Sequence, residues 1–372
     1  MILRFYPTKD ITIYEQYPQK NTGLDAVLEI NKTIIGSSSY NSRVLLDFDY
    51  TAISQSISSL GYNDKLFNYS LKLYLTEANE IPTNYTLYCY PISSSWSMGV
   101  GRYSNYPETT TGASWTYKTS ADDLTSAWQT GSFAANATAS YTTTPGGGTW
   151  YTGSIASQSF SYTTSDIDID VTSIVRQIQS SSISFKGFII KKSPTDESST
   201  NIFNSLKFFS KDTHTVYLPV LEAKFDDSIV TGSLSLINTD EDMSIIPVNL
   251  KHSYTETSTP IIRLSARYKF PVDTFETASG YLTRYRLPTG TQYAVYSAQS
   301  DDVVIGFSDY TKLSADSTSN YIKLHLDSFQ PERYYKLLFK VPNSGSSSAY
   351  QIYDNNYIFK VTRGQWDMQM VH

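Results

Sequence analysis

The chain has 372 residues, enough for two domains that each bury a core of their own. Forty per cent of the residues are apolar and 17% are charged, which excludes a disordered chain and leaves the surface to Ser, Thr, Asn and 31 tyrosines. A net charge of −6 without a basic stripe argues against nucleic acid or an anionic membrane as a partner.

In chain order, the start (Met1-Ile2-Leu3-Arg4-Phe5-Tyr6-Pro7) lacks the basic region, apolar run and small-residue cleavage site of an export leader. No apolar run approaches the 18 residues of a membrane-spanning helix. Both features predict a chain that folds where it is made. Asp47 and Asp49 alternate with Leu46 and Phe48 and are read as the wet face of a strand. Leu71, Leu73 and Leu75 share one face of the next strand, opposite Lys72 and Tyr74. The single cysteine, Cys89, alternates in phase with Tyr85 and Leu87, so it is expected inside as a small hydrophobe; no disulfide within the chain is available.

From about Ser93 to Thr164 the chain is rich in Ser, Thr, Gly and Ala and carries four of the five tryptophans: Trp96, Trp115, Trp128 and Trp150. Pro145-Gly146-Gly147-Gly148 marks a turn within it. The stretch reads as long loops with short strands, the kind of segment that carries contacts. The four tryptophans, with Tyr151, are the contact candidates. They either stack on sugar rings or pin the loops to the sandwich or to a neighbouring subunit, and pinning is favoured because little else in such a loop would anchor it. Asp166, Asp168 and Asp170 alternate with Ile167 and Ile169: a solvated strand face on one reading, weak candidates for a structural calcium ion on the other. Val171, Ile174, Val175 and Ile178 then fall at i, i+3, i+4 and i+7 and predict one short helix, capped by Asp170 or Thr172.

A strand over 216–225 ends at Asp226-Asp227-Ser228, and the domain boundary is placed there, giving domains 1–226 and 227–372. Beyond it, Ile262, Leu264, Ala266, Tyr268 and Phe270 line one strand face. Ile322, Leu324 and Leu326 oppose Lys323, His325 and Asp327, which puts His325 outward. Tyr335, Leu337, Phe339 and Val341 line a third strand. The tail from Arg363 to His372 reads as an exposed end. Period-two alternation without strand–helix alternation predicts an all-β protein built from antiparallel sandwiches.

The chain contains no phosphate-cradling loop, no His-Glu-x-x-His, no Cys-x-x-Cys and no nucleophile elbow. Its histidines, His214, His252, His325 and His372, are isolated in sequence and are read as surface residues rather than bases, because imidazole chemistry needs a positioned partner. No catalytic residue is assigned, and the chain is read as a non-enzyme.

Several segments together resemble a known family. Asp10-Ile11-Thr12-Ile13-Tyr14 with Pro18-Gln19-Lys20-Asn21-Thr22-Gly23-Leu24-Asp25, then Leu28-Glu29-Ile30, resembles the opening of a DNRLRE-type domain. Ser42 to Asp49, Tyr69 to Leu75, Tyr88 to Trp96, Ile169 to Val175, Gly187 to Ile190, and Phe208 to Asp212 with Pro219 to Leu221 are similar to its later pieces, in order, over about Asp10 to Phe225. The resemblance implies a jelly-roll-like sandwich akin to carbohydrate-binding modules, found in secreted proteins and in virion proteins of tailed bacteriophages, without catalytic residues. Residues Phe307 to Asp316 and Pro331 to Tyr335 resemble the immunoglobulin-like or fibronectin-like sandwiches of phage structural proteins. Together with the leaderless start, the resemblance implies a phage virion component of the neck, tail or fibre-attachment region. Such a component is assembled in the host cytoplasm in many copies and holds other virion proteins. The alternative expectation is a module that recognises host or cell-wall glycans.

Overall fold

Alternating sequences do form antiparallel sheets, and the protein is all-β. The computed structural model describes residues 1–128, 138–139, 146–201, 203–271, 283–343 and 349–364. Two compact units result, one of residues 5–223 and one of residues 224–372 together with Met1–Arg4.

In the first unit, the strand Lys9–Tyr14 buries all but its first residue and pairs with Ser38–Asp47 from Lys9↔Asp47 to Tyr14↔Ser42. The N-terminal part of Ser38–Asp47 pairs instead with Val27–Ile35, from Lys32↔Asn41 to Ile35↔Ser38. Ser38–Asp47 therefore has three partners, Phe188–Lys192 also pairing with it over Val44–Leu46, and Val27–Ile35 leaves it at Ser42, which is fully buried. There the ladder is completed by side chains. Ser42 Oγ accepts from the Asn31 amide and donates to the Glu29 carbonyl, both at 2.7 Å, and Thr12 Oγ1 accepts from the Glu29 amide at 2.9 Å. Small hydroxyls take these bonds because buried peptide groups must be satisfied when a neighbouring strand peels away. Beyond Val27–Ile35 the sheet continues through Phe203–Phe209 to Leu75–Asn79; from the other end of Ser38–Asp47 it runs through Phe188–Lys192 and Tyr85–Pro91 to Ala156–Phe160. In a second sheet, Asn68–Leu73 lies between Ile167–Asp170 and Val220–Lys224.

Alternation is obeyed where strands are regular. Tyr85, Leu87 and Cys89 are buried and Cys89 is a free thiol, its pKa pushed far up by burial. Leu71 and Leu73 are buried, but the strand ends at Leu73 and Leu75 begins another, half-buried. The predicted helix is Thr172–Gln179; Ile174, Val175 and Ile178 are buried, as is Val171, which occupies the cap position without a side-chain cap bond. Asp170 still bonds the Thr172 amide at 2.9 Å. A second helix, Tyr50–Ser59, was not foreseen. Asp49 caps it, its Oδ1 accepting from the Ala52 amide at 3.1 Å, so Asp49 is a helix cap and not part of a strand face.

In the second unit, one sheet has the order Met243–Pro247, Ile261–Tyr268, Asn320–Lys323, Ser314–Ala315. The other has Ser253–Thr255, Tyr350–Thr362, Arg333–Pro342, Gln292–Ser297, Val303–Ile305. Ile262, Leu264, Ala266, Ile322, Leu324, Leu326, Tyr335, Leu337, Phe339 and Val341 are in its core. Two expectations are corrected here. Phe270 lies past the end of its strand and is exposed. His325 is buried rather than outward: the strand stops at Lys323 and the chain turns into a single 3₁₀ turn at Leu326–Ser328, so the alternation no longer holds at 325. The segments 272–282 and 365–372, with His372, lie outside the described residues, as does Pro145. Among the described residues no helix is long and apolar enough to cross a membrane.

Candidate functional site

A groove of about 580 Å³ lies in the first unit, where Val27–Ile35 departs from Ser38–Asp47. Strand residues line it because their alternate side chains stand out from the sheet: Glu29 and Asn31 from one strand, Glu77 from the sheet edge, Lys207 from between them, and Tyr14 from the strand on the far side of the split. Tyr103 comes from the long loop that follows Pro91.

The loop is fixed from one buried side chain. Asn21, with no exposed surface, donates from Nδ2 to the Met98 and Ala113 carbonyls, each at 2.8 Å. Its Oδ1 accepts from the amides of Gly101 at 2.8 Å and Gly23 at 3.3 Å. Gly99 and Gly112 sit against the same amide with φ of +75° and +109°. A Cβ at either would fall within 2.6 Å of the Asn21 side chain, so only glycine lets the backbone approach it. Four residues further on, both oxygens of Asp25 accept from the Tyr103 amide, at 3.2 and 3.1 Å. Lys20 Nζ lies over the rings of Tyr17 and Tyr103, at 4.7 and 4.8 Å from their centroids, and pairs with Glu108 at 3.4 Å. Tyr103 meets Tyr14 at a 56° tilt and Tyr17 in a T-shaped pair at 83°, with centroids 5.2 and 5.7 Å away, and is still 44% exposed.

The floor is ordered in the same way. Tyr14 Oη donates to Glu29 Oε2 at 2.9 Å and Ser205 Oγ to Glu29 Oε1 at 2.8 Å. Burial, and then Glu29, holds the Tyr14 phenol well above its ordinary pKa, so it remains a donor. Lys207 Nζ binds Glu77 Oε2 at 2.7 Å, and that hydrogen bond raises the lysine and lowers the acid. Burial raises Asp25 against the opposing pull of the Tyr103 amide, Arg102 and Lys20. The surface offers one accessible aromatic ring and a row of fixed donors and acceptors: equipment for holding a polar molecule with an apolar face.

The tryptophans named from sequence lie elsewhere. Trp96, Trp115, Trp128 and Trp150 are at most 8% exposed and belong to one buried cluster with Ile11, Ile13, Leu45, Ile92 and Ile189. Trp96 Nε1 donates to the Lys186 carbonyl and Trp128 Nε1 to the Ser114 carbonyl, each at 3.0 Å. Rings covered to this degree present no face to a sugar; they hold the long loop to the sheet. Tyr151, half-buried, shares a hydrogen bond with Ser184 at 3.2 Å.

Between Trp115 and Trp150 lies Arg43, fully buried, its guanidinium 4.9 and 5.1 Å from the two ring centroids. It grips Glu197 through Nε at 3.0 Å and Nη2 at 2.8 Å and donates from Nη1 to the Gly147 carbonyl. Lys191 joins Glu197 at 2.7 Å. Burial works to raise Glu197, and Arg43 and Lys191 outweigh it, so the acid stays ionised. This network is internal scaffolding.

The three aspartates of the predicted calcium face are each engaged. Asp166 Oδ1 accepts from the Leu75 amide at 2.8 Å, Asp168 pairs with Lys72 at 3.6 Å, and Asp170 bonds the Thr172 amide. Among the described residues no group of three or more His, Cys, Asp or Glu side chains is placed to hold a metal ion.

Fold and groove together define a β-sandwich with a polar, aromatic-capped cleft. Residues 2–144 match the family model of carbohydrate-binding module family 96, a span that includes Tyr14, Asn21, Asp25, Glu29, Glu77 and Tyr103, while Lys207 comes from beyond it. Over that stretch the chain is similar to that family. None of the curated proteins compared with the chain matches it.

The groove was missed from sequence because its residues are scattered over about 190 positions and follow no motif. Asn21 and Asp25 fall inside the segment that carried the family resemblance, and that was the available signal.

Proposed function

We propose that the chain binds carbohydrate, with a glycan lying along the groove and a sugar ring against the exposed face of Tyr103. The observation that carries this reading is the fixed, accessible Tyr103 ring over a floor of oriented polar groups. Sugars present apolar C–H faces and equatorial hydroxyls, and such a surface meets both. The match to a carbohydrate-binding family over residues 2–144 supports it. In this reading the carboxylates of Glu29 and Glu77 orient hydroxyls and break no bond, each already tied to a neighbour.

A glycan array probed with the full chain and with Tyr103→Ala tests it. Hits that disappear in the variant, with no release of reducing ends from the bound polysaccharide, support binding. An array without hits for the unaltered chain overturns it. A virion component acting through protein contacts has its support in sequence resemblance, and the family match favours the glycan reading over it. The two are compatible in a virion protein that touches host glycans.

A further inference from the structure

We infer that a second copy of this chain pairs with the second unit along the open edge of Tyr350–Asp354, the two strands running antiparallel about a twofold axis at Ile352. The strand Tyr350–Thr362 has Arg333–Pro342 along one side. On its other side, among the described residues, only Lys360–Thr362 is paired, with Ser253–Thr255. The Asn343 amide donates to the Ala349 carbonyl at 3.0 Å, so the backbone groups of Ala349, and by alternation those of Gln351 and Tyr353, face Arg333–Pro342. Those of Tyr350, Ile352 and Asp354 therefore face outward, and no described backbone bond meets them. The open stretch ends at a bulge, where pairing shifts between Leu337 and Phe339 and Asn356 takes a φ of +57°.

The other edges of this unit are short or closed. Ser253–Thr255 and Val303–Ile305 have three residues each, and Ser314–Ala315 is bridged by Val230. Met243–Pro247 ends in proline, and Tyr357 Oη donates to its Ile245 carbonyl at 2.9 Å. An unpaired edge is a template for another strand, and shortness, proline, lysine or a covering group is the usual protection. Tyr350–Asp354 carries no lysine or proline. It is also complementary to itself. With Ile352 opposite the partner's Ile352, Tyr350 lies opposite the partner's Asp354, and each outward pair exchanges two backbone bonds. Tyr350 and Ile352, both about half exposed, gain apolar cover. Asp354 is the only charge in the stretch; the twofold sets it beside a neutral phenol while it keeps Lys336 at 3.0 Å, so no like charges meet. On the opposite face Gln351 and Tyr353 open on a cleft of about 210 Å³ that Asp242, Ser244 and Lys269 also line, which leaves room for the incoming side chains. Five residues a side fall well short of the roughly 20–30 of a standard interface, so the pairing is reversible and concentration-dependent.

Sedimentation velocity of the full chain from about 1 μM to about 1 mM tests this. The mass should rise with concentration from one chain toward two. Ile352→Lys sets two ammonium groups opposite each other, and Ile352→Pro removes an outward donor without touching the bonds to Arg333–Pro342. Each should weaken dimerisation at least about tenfold and leave the urea midpoint nearly unchanged. Ile352→Glu should likewise stay monomeric, and its equimolar mixture with Ile352→Lys should form a one-to-one dimer. An unaltered chain that is monomeric throughout overturns the pairing, as does a dimer that survives the Lys and Pro substitutions. A Lys–Glu mixture no more associated than its components overturns it too.

Discussion

The two carboxylate oxygens of Asp25 hold the amide of Tyr103 across 78 residues of sequence. That clamp, with Asn21 four residues earlier, converts an irregular loop into a rigid support for one exposed ring. A platform on a mobile loop would lose ordering entropy on binding; one already bolted to the strand split avoids most of it.

Replacement of Tyr103 with Ala should weaken glycan binding by about tenfold or more, as expected for removal of an exposed aromatic contact worth roughly 1–2 kcal/mol. Tyr103→Phe should retain most of the affinity. Because Tyr103 is 44% exposed, urea unfolding midpoints of all three proteins should be nearly the same. A large drop in stability for the Ala variant would make the ring a structural element and not a platform.

Asn21→Ala should act at a distance. It leaves the Gly101 amide and the Met98 and Ala113 carbonyls without their partner, at a cost of about 3 kcal/mol. Affinity should fall together with stability, and hydrogen exchange should rise over residues 98–113. Retained protection there would show that other contacts order the loop.

Trp115→Ala and Trp150→Ala should each cost about 3–5 kcal/mol in unfolding free energy, removing one of the two rings that flank Arg43. Arg43→Met should cost a similar amount because Glu197 keeps only Lys191 to balance it in the interior, and the double change Arg43→Met with Glu197→Leu should recover part of the loss, since it takes the carboxylate from buried Lys191. Denaturant titration of the four proteins checks this; a double variant no better than the single one would show that the pair is valued for packing around Gly147.

The two units should answer acid in opposite directions. Asp10 is 1% exposed, and burial lifts its pKa to about 7 while the Lys211 amide pulls it down and Asp212 adds to the rise. The folded state thus keeps a proton that the unfolded chain releases between about pH 4 and 7. Asp10 adds stability as pH falls through that window, up to about 4 kcal/mol, and loses it as pH rises through 7. Burial, and then Lys323, lowers His325 to about 4 from an ordinary 6.5, so the unfolded chain takes up a proton that the folded one refuses. Its unit loses up to about 3 kcal/mol as pH falls from 6.5 to 4. Hydrogen-exchange stabilities of each unit, compared with Asp10→Asn and His325→Gln, should flatten the respective slopes. Unchanged slopes in the variants would assign the pH dependence to other groups.

The regular strands were legible because burial on one sheet face forces period two, as Tyr85, Leu87 and Cys89 or Leu337, Phe339 and Val341 demonstrate. The helix at Thr172–Gln179 was legible for the same reason at period 3.6. Errors fell where an element ended. Asp49 and His325 kept the phase of a strand that had already stopped, and a side chain's phase says nothing once the backbone turns. Tryptophan content drew attention to the long loop, but whether an indole faces a ligand or the interior depends on what covers it.

Residue order alone determined the class of fold, the positions of most core side chains and the lack of familiar catalytic motifs, since these depend on local periodicity and composition. The groove was decided only in three dimensions. Tyr14, Glu29, Glu77, Tyr103 and Lys207 converge because Val27–Ile35 leaves Ser38–Asp47 at Ser42 and a loop is tied down by Asn21 and Asp25. Pairing register and long-range hydrogen bonds of that kind are properties of the folded backbone, which no window of sequence contains.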